Sequence, residues 1–259
     1  MTSETKKKLA RSLTAVTTEL LPFLPYLLQD LWELGSNPRE MISLLERHMP
    51  VSDDTKILDL ACGKGAMSIN IAQNFNVNVY GYDSIREFIG FAKQKAKEWN
   101  VEKLCHFTHG DANDIVQTEK NYDCVIFSGA GNILGSPQQT IKKLVNTIKP
   151  KGFILIDEAY YYSSNDGPKC KYDYLTHAQW LNLFEENGLV LLEEMSFTGG
   201  NDRERQANAI LMRANELKQK YPDKREMFDG YVQSKLDECS DLDDRVVIVN
   251  WLVQLGVES

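Results

Sequence analysis

Apolar residues in the middle of the chain fall in short unbroken runs, and the segments between them carry helical spacing. Runs at 56–61 (KILDLA), 77–83 (VNVYGYD), 105–111 (CHFTHGD), 122–130 (YDCVIFSGA) and 152–160 (GFILIDEAY) read as strands. Between them, 65–74, 84–99 and 137–148 read as helices, with a short turn near 113–118. Ser136 supplies a cap, Pro137 suits the first helical position, and Gln139 completes a capping box. Thr176 and Gln179 repeat the capping pattern before HAQWLNLFEENG, where Gly188 stops the helix and LVLLEEMSF (189–197) follows as a sixth strand. Such alternation, with strands apolar throughout, implies a parallel sheet covered on both faces.

Two regions flank this pattern. Residues 4–48 read as three helices, broken at Pro22 and at GSNPRE, where Asn37 can cap and Pro38 start a helix. Residues 201–238 read as two charged helices separated by YPDK, before a β-forming run at 245–255, RVVIVNWLVQL. The expected class is therefore α/β: a doubly wound, mostly parallel seven-stranded sheet with its last strand antiparallel. An N-terminal helical cap takes 1–48. The main domain takes 49–259, with a helical insertion at about 201–240 and a final strand at about 245–255.

Composition narrows the chemistry. A chain of 259 residues with 42% hydrophobic and 25% charged residues is ordinary for a soluble globular protein. A net charge of -8 argues against a broad phosphate-binding face and so against a nucleic-acid partner. The five cysteines are scattered, with no C-x-x-C pair, which suits a reducing compartment. Of the four histidines only His106 and His109 are close, so no metal is expected. The charged start lacks a signal-peptide pattern, and LLPFLPYLLQ is too short to span a bilayer, which points to a cytoplasmic protein with no membrane partner.

The candidate chemistry lies where the first strand meets its helix: Asp59, Leu60, Ala61, Cys62, Gly63, Lys64, Gly65. In an open parallel sheet, ligands bind beyond the carboxyl ends of the strands, where the strand order reverses. Gly63 and Gly65 let the backbone approach a ligand, and the helix start favours a carboxylate there. The dinucleotide fingerprint needs glycine or alanine at 68, where this chain has Ser68, and the P-loop pattern fails as well. The second strand ends in Asp83, able to take both hydroxyls of a ribose. The third ends in HGDAND, placing Asp111 where an adenine amino group could be read, and the fourth ends in the small-residue loop FSGAGN.

Together these segments resemble the Rossmann-like (class I) S-adenosylmethionine-dependent methyltransferases over about residues 45–200. ILDLACGKG is similar to the family's first motif, GYDSIREFIGFAK to its second-strand acidic motif, and GDAND and YDCVIFSGA to its third and fourth. IKPKGFILIDE resembles the turn into the fifth strand. Ala61 departs from the glycine often found in that place. The resemblance implies S-adenosylmethionine as cofactor and S-adenosylhomocysteine as product. It implies that Asp59 orients the cofactor's amino group, and that the backbone of 61–65, including Ala61, Cys62, Gly63 and Gly65, passes beneath its methionine moiety. By the same likeness Asp83 holds the ribose beside Ser84, Asp111 and Ala112 contact the adenine edge, and Ser128 and Gly129 face the methionine end.

The sulfonium is already activated, so aligning a nucleophile and excluding water is most of the task. No catalytic dyad is evident. The absence of [DN]-P-P-[FYW] after the fourth strand disfavours nucleic-acid bases as acceptors, which leaves a small molecule as the expected one. Tyr26, Trp32, Asn132, Glu158 and Tyr160 are candidate acceptor-facing residues, with Asp157 and Tyr162 beside them. Other possibilities are a catalytically silent cofactor-binding protein working through a partner, a protein or peptide methyltransferase, and a nicotinamide-dependent oxidoreductase. The oxidoreductase is weakened by Ser68.

Overall fold

The computed structural model describes residues 2–35, 37–161, 174–197, 201–244 and 246–256. Its elements run α1 (Ser3–Ser12), α2 (Leu24–Leu27), α3 (Pro38–His48), β1 (Lys56–Leu60), α4 (Ala66–Phe75), β2 (Asn78–Asp83), α5 (Arg86–Glu98), β3 (Cys105–His109) and α6 (Ala112–Thr118). They continue with β4 (Tyr122–Phe127), α7 (Pro137–Val145), β5 (Ile148–Tyr161), α8 (His177–Glu186), β6 (Leu189–Phe197), α9 (Asn201–Lys220), α10 (Arg225–Asp244) and β7 (Val246–Leu255). Among the described residues, no helix is long and apolar enough to cross a membrane.

The seven strands form one sheet in the order β3-β2-β1-β4-β5-β7-β6. It is mostly parallel, with β7 antiparallel. β1 lies between β2 and β4, with Asp59 opposite Gly81 on one side and Ile126 on the other. The chain winds outward through β2 and β3, then crosses back to place β4 beside β1. The carboxyl ends of β1 and β4 therefore flank the switch point of the sheet, the place where open α/β sheets bind ligands. The expected strands and helices form, with ends moved by a few residues. β3 stops at His109 because Asp111 caps α6, accepting from the Asn113 amide at 3.0 Å. α7 carries its capping box, Ser136 accepting from the Gln139 amide at 3.3 Å and Gln139 from the Ser136 amide at 3.0 Å.

By internal contact the chain divides into two units. One comprises Met1–Trp32, Ala159–Thr176 and Ser196–Ile248, and the other Glu33–Glu158, His177–Met195 and Val249–Ser259. In the first, Pro22 does not separate two helices as the sequence suggests. It sits inside a 3-10 turn, Thr18–Phe23, which runs directly into α2. Phe23 packs edge-on against Tyr221 and Phe228, at centroid distances of 5.3 and 5.1 Å. Thr14, at φ 60, closes α1 in a left-handed conformation, and its hydroxyl is held by Glu238 at 2.8 Å and by the Lys235 ammonium at 2.9 Å.

In the second unit, Asn37 caps α3, accepting from the Arg39 amide at 3.0 Å. Arg47 and His48 at its end bind Glu193 of β6, at 2.7 and 2.6 Å. Glu194, the next residue along the strand, accepts from Trp251 at 2.8 Å and pairs with His177 at 2.6 Å. The glycine turn is seated on one aromatic. A Cβ on Gly65 would lie 2.7 Å from Phe107 Cζ and 2.8 Å from Ala92 Cβ, and one on Gly81 would lie 2.7 Å from Phe107 Cδ1. Gly65 also needs φ +76 to begin α4.

Gly65→Ala therefore combines left-handed strain of ~1–2 kcal/mol with overpacking of ~1–3 kcal/mol. The expected fall in Tm is roughly 5–15 °C, at ~2–4 °C per kcal/mol, and thermal unfolding of the two proteins checks it.

Candidate active site

The ends of four neighbouring strands meet here, held by backbone groups. The Asp83 carboxylate, 8% exposed, accepts the Gly63 amide at Oδ2 (2.9 Å) and the Ile85 amide at Oδ1 (2.7 Å). It thus ties the glycine turn to the end of β2 and starts α5, and one lone pair remains on each oxygen. The Cys62 amide donates to the Tyr82 carbonyl at 3.0 Å and the Gly65 amide to the Cys62 carbonyl at 2.9 Å, so the turn is fixed at three points. The Gly110 amide binds the Asp83 carbonyl at 2.9 Å, and the Ser84 hydroxyl donates to the Gly110 carbonyl at 3.3 Å, which brings in the end of β3.

Asp59 is 2% exposed at the end of β1, and Ser68 Oγ donates to its Oδ2 at 2.5 Å. Burial holds the Asp59 carboxyl up at about 7, against the Ser68 bond, which lowers it; the nearby Asp83 charge raises it further. Asp83 is also raised by burial, to about 6, with the Ile85 and Gly63 amides and His109 pulling the other way. The Cys62 thiol is pushed well up by burial and by both carboxylates, so it is a packing group rather than a nucleophile.

Ala61 takes φ 57, in the left-handed region where a glycine is unstrained, and Gly63 and Gly129 lie at φ +53 and φ +60. Leu34 and Gly35 cross directly over these turns. A Cβ on Gly63 would lie 3.3 Å from Leu34 Cδ1, and one on Gly129 would lie 3.1 Å from Gly35 Cα. The turn's own Lys64 is 3% exposed, with Nζ 4.9 Å from the Phe91 ring centroid and 5.7 Å from that of Phe88. No described group of three or more His, Cys, Asp or Glu side chains forms a metal cluster.

A family profile described as a methyltransferase domain matches residues 51–188, more than half of the chain and the whole run from β1 to the end of α8. The chain belongs to this methyltransferase family. The methyltransferase is 30% identical over 183 residues to the uncharacterized protein YjhP of Escherichia coli K12, covering 67% of this chain and 73% of that one. A ubiquinone biosynthesis O-methyltransferase of Rickettsia akari is 34% identical over 102 residues, 39% of each chain. In fold, it resembles a SAM-dependent methyltransferase of Geobacter sulfurreducens solved with S-adenosylhomocysteine. The TM-score is 0.73 at 21% identity, over 90% of this chain and 97% of that one.

Most of the sequence-derived site residues of the methyltransferase gather within one unit: Asp59, Ala61, Cys62, Gly63, Gly65, Asp83, Ser84, Asp111, Ala112, Ser128 and Gly129, together with Asn132 and Glu158. Tyr26, Trp32 and Tyr160 belong to the other unit. There the Tyr26 hydroxyl donates to Glu216 at 2.6 Å, inside a cluster in which Arg213 also grips Asp30. Asn132 is exposed in a 3-10 turn, Gly131–Leu134, and Glu158 is half-buried on β5. Tyr162 lies outside the described residues.

Four residues escaped the sequence reading. Ser68 is the position that broke the dinucleotide fingerprint, and its hydroxyl is the Asp59 partner; that mismatch was the available signal. Leu34 and Gly35 lie far from the turns along the chain and left no signal. Lys143 donates to Asn113 Oδ1 at 3.1 Å and to the Leu134 carbonyl at 2.5 Å, a pairing visible only in space.

Two outcomes follow for the ligand-free protein. Between pH ~4 and ~7 native Asp59 holds a proton that the unfolded chain has released, so its contribution to stability falls as pH rises through that window. Asp59→Asn removes this cost, up to ~4 kcal/mol at ~1.4 kcal/mol per pKa unit. Its Tm advantage over wild type should therefore grow from pH 4 to 7 and then level off in a pH series of melts. Ala61→Gly relieves ~1–2 kcal/mol of strain against ~0.4–1 kcal/mol of added chain entropy. The same melts should show a small rise, about 2–4 °C.

Proposed function

We propose that this methyltransferase transfers the methyl group of S-adenosylmethionine to a small-molecule acceptor. One observation carries the reading: Asp59, Asp83 and Asp111 stand at the ends of three neighbouring strands, two of them bound to backbone amides, with acceptor capacity to spare. Their chemistry fits the cofactor's groups in turn. Asp59, buried and ionised by a cationic partner, takes the ammonium group, directly or through water. Asp83 takes the two ribose hydroxyls on the lone pairs its amide bonds leave. Asp111 accepts from the adenine amino group, with Ala112 and Ser84 against the ring. The left-handed turns at 61–65 and at Gly129 bring backbone close to the methionine moiety, with Ser128 beside it.

When bound, the cofactor supplies an activated methyl carbon for in-line attack. What the chain adds is alignment and dryness: positioned acceptor groups convert the encounter into a near-unimolecular step. Support for a small acceptor comes from the net charge of -8, from the loop sequence SGAGN after β4, and from the likeness to an O-methyltransferase of ubiquinone biosynthesis.

Thermal unfolding with S-adenosylmethionine, S-adenosylhomocysteine and NAD tests the reading. At ~100 times Kd, binding adds about 2.7 kcal/mol, a rise of roughly 5–10 °C at this size. The two adenosyl ligands should raise Tm and NAD should not, and Asp83→Ala should lose most of the rise. No shift with either adenosyl ligand overturns the proposal. Binding without methyl transfer to any of a panel of phenolic, amine and carboxylate acceptors would favour a silent cofactor-binding protein.

A further inference from the structure

Asp111 is held in an unusual way for a helix cap. Its Oδ1 accepts both the Asn113 amide at 3.0 Å and the Asn113 side-chain Nδ2 at 3.3 Å, while its Oδ2 accepts no hydrogen bond from the described residues. The same Nδ2 donates to the Ile133 carbonyl at 3.1 Å. The Asn113 oxygen faces Lys143 Nζ at 3.1 Å, and that ammonium also donates to the Leu134 carbonyl at 2.5 Å. A lysine ammonium can only donate, so the amide oxygen must face it and the NH2 must face Asp111 and Ile133. The chain Lys143–Asn113–Asp111 therefore leaves no choice of amide orientation. It fixes Asp111 at one oxygen and ties α6 to the 3-10 turn that follows β4.

We propose that Asn113 and Lys143 are positioning residues that make the site specific for a 6-amino purine. Pinning Oδ1 leaves Oδ2 as the open acceptor on a residue two positions past the end of β3, next to Gly110, whose carbonyl Ser84 binds. A fixed carboxylate oxygen accepts from an amino group and repels a carbonyl in the same place. A freely turning carboxylate would present either oxygen and discriminate less. The inference rests on the cofactor reading above, in which Asp111 meets the adenine edge.

The test is the ratio of Kd values for S-inosylhomocysteine, whose 6-amino group is replaced by oxygen, and S-adenosylhomocysteine, measured by calorimetry on the full chain. Wild type should prefer the adenosyl ligand by at least ~10-fold, the range of a hydrogen bond to a charged group. Asn113→Leu and Lys143→Met should each cut that ratio to about a third or less while leaving affinity for S-inosylhomocysteine within about twofold. Lys143→Arg should retain the preference, because it still donates. If Asn113→Leu does not fold, Lys143→Met carries the same test. A merely structural role would weaken both ligands equally, so an unchanged ratio in these variants overturns the proposal. An Asp111→Ala control separates the failures: if it loses the preference while the other variants keep it, only the relay falls. If wild type has no preference, or Asp111→Ala retains it, the adenine reading of Asp111 falls and the relay with it.

Discussion

The site depends on the Asp83 carboxylate meeting two backbone amides. Oδ2 takes Gly63 and Oδ1 takes Ile85, so one side chain at the end of β2 fixes the turn after β1 and the first turn of α5. Both amides belong to segments that no regular ladder satisfies. A buried carboxylate is tolerable here because each bond is charge-assisted, and because the two amides replace part of the lost water. Without it, the Gly63 amide would be an unmet donor, and only the Cys62 amide bond to the Tyr82 carbonyl would tie the turn to β2.

Packing repeats that constraint from below. Phe107 of β3 fills the space under Gly65 and Gly81, so the turn, β2 and β3 share one aromatic support. Glycine is required at 65 twice over, by its φ of +76 and by the absence of room for a Cβ. Above the turn, Leu34 seats on Gly63 and Gly35 on Gly129. The turn thus has rigid support on one side and close cover on the other.

Charge is arranged with the same economy. Asp59 and Asp83 stand at adjacent strand ends and each is lifted by burial, to about 7 and about 6. In the ligand-free protein that arrangement costs stability as pH rises toward 7. Strain at functional backbone, such as Ala61 at φ 57, has the same character: local cost held in place by the surrounding fold. Function is grafted on the sheet rather than implied by it, since the decisive groups lie in turns and strand ends.

The sequence by itself determined most of the sheet and which polar residues stand at its strand ends. Apolar runs of strand length mark β1, β4 and the middle of β5, because a strand covered on both faces has no place for polar side chains, while β2 and β3 alternate towards the sheet edge. The strand-end places of Asp59, Asp83 and Asp111 were legible from that patterning, as were the caps at Asn37 and Ser136, which act within one turn of chain. Pro22 misled, because it lies near the end of the 3-10 turn Thr18–Phe23, which runs straight on into α2 instead of breaking there. Only the tertiary structure decided that Ser68 serves Asp59, that Leu34 and Gly35 cover the glycine turns, and that Lys143 reaches Asn113. Leu34, Gly35 and Lys143 are distant from their partners along the chain and carry no periodic or local signal, and the Ser68 mismatch did not say which group it serves. A hydrogen bond or steric contact exists only once the sheet order has placed its two ends within a few ångströms.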